Sequence, residues 1–279
     1  MQSPPILTDR STLVRHRNRA ISHPSHADAM FLHQAAIADV QERLIEVNRT
    51  FTKPAVVTGF PDLWRNVMPN ALIVPDDEVL ALEPGAHDLV VHAMGLHWAN
   101  DPLGQMVQCR RALQPDGLFL GALLGGRTLH ELRTSLAEAE TAVTGGLSPR
   151  VLPMAEIRDL GGLLQRAGFA LPVADGFVQM ATYKSVFDLF ADLRAMGETN
   201  ALAGRLKHAT RRAIFTEAVA IYAATQGQAD DRIAATFEVI FLTGWAQHDS
   251  QQTPLRPGSA KHRLADALKV PEQPLPKDC

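Results

Sequence analysis

The chain has only two cysteines among its 279 residues, Cys109 and Cys279, and they share no motif. This scarcity excludes a disulfide framework, a cysteine-based zinc site and an iron–sulfur cluster, and it fits a reducing compartment. No apolar run approaches the roughly 20 residues that cross a bilayer, and the N-terminus lacks the apolar core of a secretory signal. We therefore expect a cytoplasmic protein whose membrane contact, if any, is peripheral.

A strong excess of charge is also lacking, since the net charge is −3 and the isoelectric point is near 6.4. This balance excludes a general attraction to nucleic acid. The sequence contains no P-loop, no Ser-His-Asp order and no pair of catalytic carboxylates. No metal site is predicted either, because the histidines of the N-terminal leader lack carboxylate or cysteine companions at ligand spacing: His16, His23, His26 and His33.

The most informative stretch reads as strand, helix, turn, strand and helix. Asp88 to Met94 is a nearly continuous apolar run, as in a parallel strand that is covered on both faces. Pro102 to Leu113 has helical periodicity, and Gln114 to Gly117 has the composition of a turn. Leu118 to Leu124 is a second apolar run, and Thr128 to Val143 is predicted to be helical.

Short motifs in this stretch carry a family resemblance. Asp88-Leu89-Val90-Val91, Leu96-His97-Trp98 and Leu113-x-Pro115-Asp116-Gly117 occur in this order. Together they resemble the class I S-adenosylmethionine-dependent methyltransferases with a type 11 domain. Downstream segments are similar, within that family, to the methyltransferase-like complex I assembly factors of mitochondria and alphaproteobacteria, which are linked to arginine hydroxylation: Gly125-Gly126-x-Thr128-Leu129-x-Glu131-Leu132-Arg133, Gly145-Gly146-Leu147-Ser148-Pro149, Arg166-Ala167-Gly168-Phe169, Met196-Gly197-Glu198-x-Asn200 and Gly244-Trp245-x-x-His248.

The resemblance implies a fold, a cofactor and a partner. The fold would be an α/β, Rossmann-like, mostly parallel sheet of the class I methyltransferase type with a helical cap. The cofactor would be S-adenosylmethionine, and the partner a protein such as a respiratory complex I subunit, reached peripherally at the inner membrane. The implied organisation is a basic leader with helices (1–52), a Rossmann-like core (53–183), a helical cap (184–235), a last core strand with its loop (236–250) and an irregular tail (251–279).

The interval between the first predicted strand and the diagnostic strand, which is the predicted strand from Asp88 to Met94, is short. Ala55 to Gly59 takes the place of the first strand, Ala71 to Val74 is a brief apolar run, and Asp88 opens the next strand. One strand–helix–strand unit needs roughly 30 residues, and this interval is hardly longer. The sheet is therefore predicted to lack one strand–helix unit near its second strand.

The rest of the chain alternates further elements. Apolar periodicity and β-branched or aromatic content predict helices over 27–51, 154–167, 185–196 and 205–225 and strands over 171–173, 177–183 and 236–245. Four arginines lie close together near the start of the leader: Arg10, Arg15, Arg17 and Arg19. A solvated helix face is one interpretation of them, and a docking surface for a partner or lipid headgroups is the other.

The resemblance assigns cofactor residues, although the local sequence departs from the family pattern. Gly59 stands in the loop that follows the first strand, and the acidic residues after the third strand of the family, near the adenine, correspond to Asp76 and Asp77. Met94 and Gly95 close the diagnostic strand on the cofactor side. However, Phe60 follows Gly59 where small residues are needed, and the acid of the second strand is missing. These departures argue against an ordinary S-adenosylmethionine site.

Polar residues after the two diagnostic strands are the other site candidates. His97 can act as an acid or base there, because ligands bind at the carboxyl ends of such strands, and Trp98 is assigned to the substrate or partner. The alternative is a structural corner with a packed indole and an imidazole bonded to backbone. Arg127 and Glu131 lie at the start of a helix, where the free amides and the nearby arginine can bind an anion or an acidic segment of a partner. A surface ion pair is the alternative.

Two functions fit these residues. The first is an enzyme of the methyltransferase family that resembles the factor acting on an arginine of a respiratory-complex subunit. The second is a catalytically degenerate protein of the same fold that acts as an assembly or docking factor without a cofactor. Hydroxylation also needs an oxidant, and the sequence has neither a flavin motif nor a two-His-one-carboxylate motif.

Overall fold

A computed structural model describes residues 6–228, 230, 232–252, 258–259 and 263–271. Within these residues the apolar runs form one six-stranded sheet of strand order β2-β1-β3-β4-β6-β5. The strands are β1 (Pro54–Thr58), β2 (Leu72–Val74), β3 (His87–Ala93), β4 (Leu113–Leu124), β5 (Ala170–Tyr183) and β6 (Ile233–Trp245).

The strand directions match the Rossmann-like prediction. The pairs β1–β2, β1–β3 and β3–β4 are parallel, whereas β6 runs antiparallel to both β4 and β5. Between β1 and β3 the chain forms only a short helix, Pro61–Arg65, and the three-residue strand β2. One strand–helix unit is therefore absent beside β1, as the short interval predicts.

Helices cover both faces of the sheet. They are α1 (Arg10–Ile21), α2 (His26–Ala29), α3 (Phe31–Val47), α4 (Pro61–Arg65), α5 (Pro102–Ala112), α6 (His130–Thr144), α7 (Ile157–Ala167), α8 (Val186–Met196), α9 (Arg212–Gln226) and α10 (Leu264–Leu268), with a 3₁₀ turn at Leu96–Trp98. The buried residues of α3, α6, α8 and α9 share one core with the sheet, and those of α5 and α7 share the other. The result is three layers, helix, sheet and helix.

Two compact units divide the chain, Met1–Gln247 with the sheet and His248–Cys279 with α10. Most of the predicted irregular tail lies outside the described residues. No helix in the described part of the chain is long and apolar enough to cross a membrane. The predicted boundaries of the leader, core and cap stay a prediction.

Four predicted elements differ from the observed ones. The strands expected at 171–173 and 177–183 are one strand, β5, because the residues from Val173 to Tyr183 pair continuously with β6. The helix expected from Arg205 begins only at Arg212, since the Arg205 side chain bonds instead to Thr12 and to the carbonyl of Leu202. The turn expected at 114–117 belongs to the start of β4, where its turn chemistry appears as a positive φ of 61° at Asp116.

One hydrogen bond joins α9 to β6 inside the larger core. The Tyr222 hydroxyl is fully buried and donates to the carbonyl of Ala234 at 2.8 Å. Tyr222→Phe removes this buried hydrogen bond, so we expect the free energy of unfolding to fall by about 1–2 kcal/mol. Urea unfolding measures the change, and Thr225→Ala on the exposed side of α9 is the control. An equal loss in both variants would contradict the prediction.

Candidate functional site

The first helix turns two of its arginines inward. Helix α1 begins after Asp9, whose carboxylate accepts a hydrogen bond from the Thr12 amide. Arg10 and Arg17 lie seven residues apart on one helix face, and the Arg17 side chain is only 5% exposed. Both interpretations of the basic leader are thus wrong for these two residues, which point into the protein because a partner is buried there. The neighbouring arginines of α1 are exposed.

That partner is Asp76, which is 2% exposed and follows β2. Its Oδ1 accepts from Nη1 of Arg17 at 2.7 Å and from Nη2 of Arg10 at 3.2 Å, and its carbonyl accepts from Arg10 at 2.6 Å. Burial alone would raise the pKa of Asp76, but the two guanidinium groups outweigh it and hold the pKa well below its usual range. Asp76 is therefore a carboxylate at every physiological pH.

The Arg17 guanidinium covers Gly59 at the end of β1. A Cβ added to Gly59 would lie 2.3 Å from Nη1 and 2.4 Å from Cζ of Arg17, so the space in front of this glycine is filled. Phe60 is also buried, at 3% exposure, and Cζ of Arg17 lies 5.8 Å from the centre of its ring. Arg17 thus sits between a carboxylate and an aromatic face, above the loop that the resemblance assigns to the cofactor.

The end of β3 closes the same region from the other side. Met94 adopts a positive φ of 52°, a strained conformation for a residue with a side chain, and it is 2% exposed. A Cβ on Gly95 would lie 2.7 Å from Oδ2 of Asp76 and 3.2 Å from Cε1 of His92. The predicted cofactor residues Gly59, Asp76, Met94 and Gly95 therefore meet in one place, and protein atoms pack closely between them.

Several buried polar atoms of this region have no hydrogen-bond partner within the described structure. They are Nε and Nη2 of Arg17, Oδ2 of Asp76, Nδ1 of His92 and both ring nitrogens of His33. Burial lowers the pKa of His33 to about 3 and that of His92 to about 4, so both rings are neutral near pH 7. Unpaired buried polar atoms are uncommon in native proteins, and their concentration here marks an unusual site.

A second polar cluster joins the turn after β3 to the loop after α8. The indole Nε1 of Trp98 donates to Oε2 of Glu198 at 2.7 Å, and Nε2 of His97 lies 3.3 Å from the same oxygen. The Leu124 amide donates to Nδ1 of His97 at 3.4 Å, which leaves the Nε2 proton for Glu198. Burial would raise the pKa of Glu198, but His97, Arg17 and the Trp98 bond together lower it.

Glu198 and Trp98 line a cavity of about 360 Å³. Most of its wall is apolar and comes from the end of β4, from α6, from α8 and α9 and from the segment at 148–154. Three arginines also reach it, and two of them are paired elsewhere, Arg150 with Glu140 and Arg205 with Asp9. The third is Arg194, an exposed residue of α8. The cavity therefore combines one buried carboxylate, that of Glu198, with an exposed arginine in a largely apolar wall.

The remaining predicted site residues lie apart from this cavity. The Asp77 side chain is 62% exposed, at 3.6 Å from Arg10. Arg127 contributes its backbone amide to Glu238, and the buried carboxylate of Glu131 accepts from Thr236. Neither Arg127 nor Glu131 is among the cavity-lining residues, and their assignment to a partner stays a prediction.

No group of three or more histidine, cysteine or acidic side chains that could hold a metal occurs in the part of the chain that the structure describes. Three leader histidines have other contacts: His16 bonds Thr199, His26 bonds the carbonyl of Ala195, and His33 packs edge-on against Phe60. The buried Cys109 is a free thiol.

Curated relatives match the chain, whereas no protein-family profile does. It is 37% identical over 203 residues to "Arginine-hydroxylase NDUFAF5, mitochondrial" of Danio rerio, covering 73% of this chain and 63% of that protein, and 39% identical over 203 residues to the Homo sapiens protein, covering 73% and 59%. It is also 35% identical over 175 residues to the malonyl-[acyl-carrier protein] O-methyltransferase of Laribacter hongkongensis, covering 63% and 56%. The chain thus spans about three fifths of these relatives.

Among solved structures, a methyltransferase-like protein of Bacillus halodurans covers 74% of this chain and 98% of its own, at 12% identity and a TM-score of 0.46. The curated relatives and the mostly parallel sheet confirm the resemblance that the motifs of β3 and β4 indicate. The chain is therefore a class I methyltransferase-type protein related by sequence to the NDUFAF5 arginine hydroxylases.

Proposed function

We propose that the chain recognises an arginine-bearing segment of a protein partner, a subunit of a respiratory complex, and seats the arginine side chain against Glu198. The observation that carries this proposal is the buried, ionised carboxylate in the wall of the 360 Å³ cavity. Trp98 and His97 fix the oxygen Oε2, so the carboxylate is oriented before any ligand arrives.

The sign of this charge selects between the two kinds of relative. A guanidinium forms charge-assisted hydrogen bonds with a carboxylate, and its flat shape suits an apolar, aromatic wall. A malonyl carboxylate, which the name of the second relative implies for that protein, would be repelled by Glu198. At Glu198 an arginine side chain, which the name of the NDUFAF5 relatives implies for those proteins, therefore fits better than a malonyl carboxylate.

The residues at the predicted cofactor position do not fit S-adenosylmethionine in its ordinary place. Arg17 fills the space before Gly59, Phe60 is buried beside it, and Pro61 offers no amide donor. A cationic sulfonium would also meet the cation of Arg17. We therefore derive no catalytic step through this cofactor.

This leaves recognition as the role that the chain's own residues support. Glu198 would bind and orient the partner's arginine, Trp98 and His97 would hold Glu198, and the apolar wall would exclude water. Such a role corresponds to an assembly or docking factor, with contact to the inner membrane only through the respiratory complex.

Peptide binding tests the proposal. Peptides that tile the subunits of the NADH:ubiquinone oxidoreductase of the same organism are paired with versions in which neutral, nearly isosteric citrulline replaces arginine. We expect an arginine peptide to bind, and both citrulline and the Glu198→Gln substitution to weaken binding by about 10- to 100-fold, because each removes one charge of a desolvated pair.

Glu217→Gln is the matched control, because Glu217 is exposed on α9 and does not line the cavity. Its affinity for the arginine peptide should equal that of the unchanged chain. Equal affinity for arginine and citrulline peptides, or an equal loss in both glutamine variants, would overturn the assignment of Glu198.

A further inference from the structure

We propose that the space bounded by Gly59, Phe60 and Asp76 is a binding site for a guanidinium-type organic cation, and that the chain fills this site with its own Arg17. The inference goes beyond the proposed function because it concerns a second set of residues at the ends of β1 and β2. In this site the Arg17 side chain occupies the place of a cationic ligand.

The site has the parts that recognise an organic cation. Asp76 supplies a buried carboxylate, and Phe60 supplies an aromatic face 5.8 Å from the guanidinium carbon. Gly59 leaves the open surface on which the planar group lies, since any side chain there would meet Arg17 at 2.3 Å. Anion, aromatic face and open backbone surface converge on one guanidinium.

Arg17 satisfies this site only in part. Its Nη1 pairs with Oδ1 of Asp76, but Nε and Nη2 of Arg17 and Oδ2 of Asp76 have no partner within the described structure. A structural ion pair that evolved for stability alone would be expected to use these buried atoms, since each unpaired one costs roughly 1–3 kcal/mol. Arg17 and Asp76 therefore share one hydrogen bond rather than a two-pronged pair, and donors and an acceptor remain unused at the site.

Helix α1 delivers Arg17 and is fastened to the cavity wall. Asp9 pairs with Arg205 at 3.0 Å, its amide donates to Ala201 at 2.8 Å, and Thr199 bonds His16 at 2.8 Å. These contacts hold α1 across the ends of the strands. Removal of the Arg17 side chain should therefore leave the helix in place and open a cavity beneath it.

Chemical rescue of Arg17→Ala tests the site. The full chain carrying this substitution is titrated with methylguanidinium to about 20 mM at constant ionic strength, and its thermal midpoint is measured. We expect the midpoint to rise by about 3–5 °C, as for a ligand of roughly millimolar affinity that binds only the folded state. Neutral methylurea should leave it unchanged.

Arg43→Ala is the matched control. Arg43 also pairs with two aspartates, Asp39 and Asp175, but its side chain is 22% exposed and lies over Phe241 on another part of the sheet. This variant should show less than a third of the shift. The double variant Arg17→Ala with Asp76→Asn should lose the shift, because the buried carboxylate is gone.

Two outcomes would overturn the inference. One is an Arg17→Ala midpoint that methylguanidinium moves no more than the Arg43→Ala midpoint. The other applies if Arg17→Ala does not fold by itself. Refolding in the presence of methylguanidinium should then recover folded protein, and a failure to recover it would contradict the site. Both results are measured without peptide, so the peptide test of Glu198 can fail or succeed independently of them.

Discussion

Replacing Asp76 with alanine is expected to lower the free energy of unfolding by about 3–5 kcal/mol, the typical cost of removing one partner of a buried ion pair. The reason is that Arg17, 5% exposed, loses the one hydrogen-bonded partner it has among the described residues and stays buried without its ion pair, while Arg10 loses its contact with the Asp76 carboxylate. Urea unfolding at pH 7 measures the loss.

Asp77→Ala is the control for this prediction. Asp77 is the next residue, it carries the same charge, and its side chain is 62% exposed with one contact at 3.6 Å to Arg10. We expect its substitution to change the free energy of unfolding by less than about 0.5 kcal/mol. Equal losses in both variants would show that Asp76 does not carry the buried charge.

The stability that Asp76 provides should also depend on pH. Its pKa in the folded chain is depressed, so its contribution is fully present above the ordinary aspartate pKa of about 3.9 and is lost as pH falls towards the folded value. The difference between the unchanged chain and Asp76→Ala should therefore shrink between about pH 5 and pH 2. A constant difference over that range would contradict the depressed pKa.

Calorimetric titration with S-adenosylmethionine is expected to give no saturable heat at concentrations up to about 1 mM. The binding free energies of a micromolar and a millimolar site differ by about 4 kcal/mol. We expect Arg17 to weaken ligand binding by that amount, because the ligand would have to displace a buried, paired guanidinium from the front of Gly59. S-adenosylhomocysteine, which has no sulfonium charge, is the second ligand.

Circular dichroism must show that the titrated protein is folded, and the malonyl-[acyl-carrier protein] O-methyltransferase relative serves as the positive control for the ligand stock. Micromolar binding of either ligand would mean that Arg17 yields its place. Cofactor-dependent chemistry would then become the better account.

The sequence predicts most strands of the sheet but few of the contacts at the candidate site. The strands β3 and β4 follow from continuous apolar runs, and the missing unit beside β1 follows from the chain length before Asp88. The local sequence does not predict that the two expected strands form the single strand β5, because Ala174 to Gly176 have weak strand signals. These residues belong to the strand because they pair with β6. The extent of β5 is therefore determined by its long-range pairing with β6.

Some residues of the site are predicted from the sequence, and others are not. Gly59, Asp76 and Gly95 came from the family resemblance, and the structure brings them together. The inward turn of Arg17 was missed because an arginine in a basic helix normally faces solvent. The seven-residue spacing of Arg10 and Arg17 was the only local signal, and it gains meaning only when Asp76 is placed opposite them.

The contacts that fasten α1 to the loop after α8 also link the two sites thermodynamically. Asp9 and His16 of the helix contact Arg205 and Thr199, and Glu198 lies next to Thr199 in the chain. We therefore expect a ligand that orders the Glu198 loop to favour the seated position of Arg17, and by reciprocity we expect withdrawal of Arg17 to weaken binding at Glu198 by the same free energy.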